Sequence, residues 1–160
     1  MENKLKELIG LEVKESNSGG SAGSILVIGL ENEIYFYIVC MWRISKNEKV
    51  LVTSSDSFEF PNGLIIKESG KYSGKVIDFS LSQFYDLTLT LDTGYKLEIF
   101  CDIGHSLDEY PLNWELNFPQ ENLSLKINNH FQLLQSKYDE EENKDEFKPS
   151  FDLLDDLNWL

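Results

Sequence analysis

Between residues 86 and 101 the chain alternates with a period of two. Leu87, Leu89 and Leu91 are separated by Thr88 and Thr90, the turn Asp92-Thr93-Gly94 follows, and Tyr95, Leu97, Ile99 and Cys101 resume the apolar face. Alternation on both sides of a turn puts one face of each arm against a core, and glycine tolerates the positive φ such turns need, so the segment is predicted to be a β-hairpin. Residues 25–30 and 34–44 are dense in Ile, Val, Tyr and Phe, which suit a pleated, half-buried surface, with Glu31-Asn32-Glu33 as the turn between them. Residues 49–53 then pair back across Lys46-Asn47-Glu48.

Further strands are predicted from Leu11 and at 76–81, 113–118 and 123–127, the last ones set apart by Pro111, Pro119 and polar residues. The Gly- and Ser-rich stretch 17–24 reads as a hairpin loop, because apolar segments flank it closely. Residues 54–72 stay ambiguous: Pro61-Asn62-Gly63 is a turn, and Leu64-Ile65-Ile66 fits a short strand or one helical turn. About nine strands joined by short turns imply an α+β, mainly β chain: an antiparallel bent sheet, a sandwich or a partly closed barrel. A short helix over 2–9, carrying Leu5, Leu8 and Ile9 and stopped at Gly10, packs on it. Parallel α/β folds find no support, since no helix-length pattern alternates with the strands.

The 160 residues suit a single domain. Its β-rich body is expected over 1–138, followed by an acidic spacer at 139–148 and an apolar-acidic segment at 149–160. Phe131, Leu133, Leu134 and Tyr138 read as a short helix closing the body. A second helix is expected after Pro149, with Ser150 as N-cap and acidic residues in its first turns.

Charge narrows the partners. Lys and Arg number 14, with Arg43 the only arginine, against 28 Asp and Glu, for a net of −14. Residues 139–160 hold nine acidic and two basic residues, a net of −7 and half the total. Such a field repels phosphate backbones and anionic membranes, so direct nucleic-acid and membrane binding are disfavoured and a basic protein is the favoured partner. The N-terminus lacks the apolar core of a secretion signal, and no run approaches the roughly 18 apolar residues of a membrane span. Cys40 and Cys101 lie in apolar runs that suit buried free thiols, which points to a reducing, cytoplasmic setting.

Catalytic patterns are weak. Leu91-Asp92-Thr93-Gly94 matches the core of the aspartic-protease signature, but that chemistry needs two such aspartates, and an ordinary turn explains the same residues. Cys101, Asp102, His105, Asp108 and Glu109 are close in sequence, yet one histidine with scattered carboxylates lacks zinc-site spacing. His130 reads as a polar edge residue. No phosphate loop and no Gly-x-Ser-x-Gly turn occurs, so no catalytic residue, metal or cofactor is expected. Trp42-Arg43 and Trp114-Glu115 are candidate interface anchors, since an indole beside a polar group suits that role; packing in or at the rim of the core is the stronger competing reading. In the last segment, Phe151, Leu154, Asp155, Asp156 and Trp159 interleave apolar and acidic groups, as in a peptide that lays one face into a groove on a partner or on its own domain.

One wider pattern is familiar: Tyr35-Phe36-Tyr37 leading to Trp42-Arg43-Ile44, then Val50-Leu51-Val52-Thr53, Tyr85-Asp86-Leu87, Gly94-Tyr95-Lys96-Leu97 and Asn113-Trp114-Glu115-Leu116. Over roughly residues 25–130 it resembles a group of small proteins of low-GC Gram-positive bacteria, some of which are similar to immunity proteins encoded beside secreted toxins. The resemblance implies no catalytic residues. It implies an inhibitor that binds and blocks a basic toxin or effector through an acidic surface. Two alternatives stand beside it: a phage or mobile-element protein that antagonises a host nuclease by imitating nucleic acid, and a small metal-dependent or aspartic hydrolase.

Overall fold

The computed structural model describes residues 1–19, 25–55, 73–103 and 112–138. The acidic spacer, the 149–160 ending with Phe151, Leu154, Asp155, Asp156 and Trp159, the stretch from 56 to 72 and the loop bearing His105, Asp108 and Glu109 lie outside these residues. A helix, α1 (Glu2–Lys6), precedes the strands β1 (Val13–Gly19), β2 (Ile25–Leu30), β3 (Tyr35–Ile38), β4 (Met41–Lys46), β5 (Lys49–Thr53), β6 (Val76–Leu81), β7 (Leu87–Leu91), β8 (Tyr95–Phe100), β9 (Leu112–Phe118), β10 (Leu123–Asn128) and β11 (Leu133–Ser136). They form two antiparallel sheets, one ordered β1-β2-β3-β9-β10-β11 and the other β5-β4-β8-β7-β6. The fold is thus mainly β and open, not a closed barrel.

Period-two patterning decides which residues face inward. Leu87, Leu89 and Leu91 of β7 register with Ile99 and Leu97 of β8 and with Val76 of β6, and all are buried. Across the core stand Leu26 and Ile28 of β2, Phe36 and Ile38 of β3, Trp114, Leu116 and Phe118 of β9, and Leu125 and Ile127 of β10. Leu5 and Leu8 of the N-terminal turn are wholly buried, whereas Ile9 faces out. Gly10 ends that turn at φ +92°, and its N–H donates to Val76 O at 2.7 Å. The segment that follows bridges Glu12 to Lys75, so the outer strands β1 and β6 of the two sheets lean together at this edge.

Two predicted elements differ from the structure. The apolar run 34–44 is not one strand: it breaks at Val39 and Cys40, β3 joining one sheet and β4 the other. Both N–H groups at the break donate to a single acceptor, Asn113 O, at 2.9 and 3.1 Å, which bends the chain without Gly or Pro. Residues 133–136, expected as helix, are the strand β11 on β10. The Asn128 carboxamide accepts from His130 N–H and Gln132 N–H and builds the tight turn that sends the chain back, leaving Phe131 at φ 56° against the Phe84 ring. No helix among the described residues is long and apolar enough to cross a membrane.

Candidate functional site

Both sequence-predicted indoles lie in the core. Trp42 is 1% exposed and Trp114 0%, and Trp114 Nε1–H donates to Tyr85 O at 3.0 Å. Neither presents a surface to a partner in this fold. Glu115, on the opposite face of β9, is also covered at 1% exposure; the Ser124 hydroxyl donates to its carboxylate and Lys126 Nζ lies 3.5 Å away. Arg43 reaches the solvent-facing side of the five-stranded sheet, where it grips Glu98 through two bonds of 2.8 and 2.7 Å over the Phe100 ring. Ser45 Oγ adds a third donor to the same carboxylate. The bonds from Arg43, then Ser45, hold Glu98 below the ordinary carboxylate range, and Glu98 in turn raises Arg43.

Asp92 serves the turn it sits in. Its Oδ1 accepts from Lys75 N–H at 2.9 Å, and Thr93 Oγ1 donates to Ser73 O, tying the β7–β8 hairpin to the chain entering β6. Cys40 and Cys101 are free thiols that follow the Met41–Phe100 pair outward along β4 and β8. Contact with the Cys101 thiol, then burial, pushes the Cys40 thiol up, while Cys101 Sγ reaches Tyr85 O at 3.4 Å. Among the described residues no group of three or more His, Cys, Asp or Glu side chains is placed to hold a metal ion.

A cavity of about 670 Å³ opens where the six-stranded sheet meets the turns after β2 and β9. Its described walls include Glu15 of β1, Val27 and Gly29 of β2, Glu33 of the turn Glu31–Glu33, Tyr35 of β3, Gln120 and Asn122 after β9, and Tyr138 after β11. Tyr138 stands edge-on to Tyr35, ring centroids 6.3 Å apart. Gly29 is the key to the floor. Glu15 registers opposite it, and a Cβ built on Gly29 would fall 2.6 Å from Glu15 Cγ and 3.0 Å from its Oε1, so the carboxylate arm lies flat across the bare backbone. Beside this floor Asn117, opposite Tyr35 in register, is wholly buried with neither amide atom hydrogen-bonded among the described residues.

No protein-family model, curated protein or solved structure matches the chain. The cavity was not anticipated from sequence. Its one local signal is the glycine inside the apolar run 25–30, since glycine in a strand marks a close approach of other atoms to the backbone.

Proposed function

We propose that this protein is an immunity-type inhibitor, a cytoplasmic domain that binds a basic toxin or effector protein and blocks it by occlusion. The observation that carries the reading is the acidic surplus, 28 Asp and Glu against 14 Lys and Arg, with several of the cations already paired. Lys4 bonds Glu121 and Glu7, Lys14 bonds Glu12 and stands 3.5 Å from Glu31, Arg43 is held by Glu98, and Lys126 lies against Glu115. Four of the ten cations among the described residues are thus paired with neighbouring carboxylates, and the net charge of the whole chain is −14. A field of that sign raises the encounter rate with a basic protein and sets the orientation of docking, more than it adds raw affinity. Free thiols at Cys40 and Cys101 accord with a reducing compartment. The test is capture from the native host by the full chain at about 50 mM salt, where surface charges are least screened. A stoichiometric basic protein, released as salt rises and inactive while bound, is the expected result; recovery of none would overturn the proposal.

A further inference from the structure

We infer that the cavity beneath Tyr35 and Tyr138 receives a basic side chain, arginine above all, from a protein partner. The identity of that partner rests on the inhibitor reading; the chemistry of the cavity does not. Two carboxylates reach it from separate elements, Glu15 and Glu33, and no lysine or arginine is among its described walls. An anion would therefore meet repulsion and no compensating charge. The chain's own ending, with Asp152, Asp155 and Asp156, is disfavoured for the same reason.

A cation meets three complementary groups. Tyrosine rings attract cations over their faces, and a planar guanidinium stacks on them more readily than an ammonium does. Carboxylates accept its forked donors in pairs, which a lysine cannot match. Gln120 and Asn122 add amide oxygens on the same wall, and the unsatisfied Asn117 carboxamide lies beside it. The bare backbone at Gly29 fits this use. Glycine weakens a strand, and here its missing side chain is what lets the Glu15 arm cross the cavity floor. At about 670 Å³ the space admits the residues flanking an arginine as well as its side chain.

The test is a titration of the full ¹⁵N-labelled chain with Nα-acetyl-argininamide, followed by amide shifts, with the neutral isostere Nα-acetyl-citrullinamide as control. Saturable shifts at Glu15, Gly29, Glu33, Tyr35 and Asn122 are expected with the arginine compound alone. The double variant E15Q/E33Q, altered only at exposed side chains, should weaken binding about tenfold, the scale of losing one charge-assisted bond. G29A, which displaces Glu15, should weaken it while the spectrum stays dispersed. Equal binding of the neutral compound, shifts confined elsewhere, no shift at all, or undiminished binding by E15Q/E33Q would each overturn the inference. Repeating the host capture with E15Q/E33Q separates the two proposals. A partner held as well as before would remove the cavity and leave the inhibitor, whereas arginine binding without any captured partner would remove the inhibitor and leave the cavity.

Discussion

Asn113 ties several separate parts of the fold together. Its amide donates to Asp102 O and Asn128 O at 3.1 and 2.9 Å, its Oδ1 accepts from Asp102 N–H at 3.0 Å, and its main-chain oxygen takes the two N–H groups at the β3–β4 break. Buried bonds of this kind are costly to leave unmade. Asn113→Ala is therefore expected to lower unfolding free energy by about 2–4 kcal/mol in chemical denaturation. Asn113→Asp keeps the shape but loses both donors, and should lose nearly as much at neutral pH. The opposite sign is expected at Glu48, which with Asn47 occupies the left-handed region, φ 63° and 51°, in the two-residue turn between Lys46 and Lys49. Such turns favour Asn-Gly, and a side chain at positive φ is strained. Glu48→Gly should stabilise the chain by about 0.5–1 kcal/mol, visible as a rise of a few degrees in thermal midpoint.

At the scale of elements, what sequence discloses depends on how local its cause is. The β7–β8 hairpin was legible because Leu87 to Leu91, Asp92-Thr93-Gly94 and Tyr95 to Ile99 carry pattern and turn within one short window. The break at Val39–Cys40 was not, since its acceptor, Asn113 O, comes from a distant strand. β11 was misread because Leu133, Leu134 and Tyr138 also fit a helical spacing, while the Asn128 turn that decides the matter leaves only a faint trace. The indoles and Glu115 were legible as unusual, but burial places them in the scaffold, and the cavity residues Glu15 and Gly29 drew no notice because only strand register sets them opposite each other. The β4–β8 pair carries a pH signature. Glu98 sits below its usual value near 4.5 when folded, so its contribution is complete above that pH and is lost as pH falls through the lower folded value. Glu98→Gln should lower stability most at neutral pH, where the carboxylate's contribution is complete, and flatten the fall of the stability curve below about pH 4.5.

The whole molecule divides its charge evenly between a folded body and its ending. Buried apolar residues of the described part run from Leu5 to Ile127 and close on one another, so a chain cut after Tyr138 is expected to unfold in one cooperative transition. Having lost seven net negative charges, it should elute earlier from an anion exchanger, and a basic partner should associate with it more slowly at low salt. A non-cooperative transition would show that the ending belongs to the body. The ribbon in which β3 and β4 pair with β9 and β8 across the corner has a consequence in time. Arg43 and Glu98 meet across 55 positions of chain, and such distant closures are slow. As the chain leaves the ribosome, β3 and β4 emerge with one edge each still waiting for a strand not yet made, and those bare edges are where a nascent molecule would pair with its neighbour on the same message.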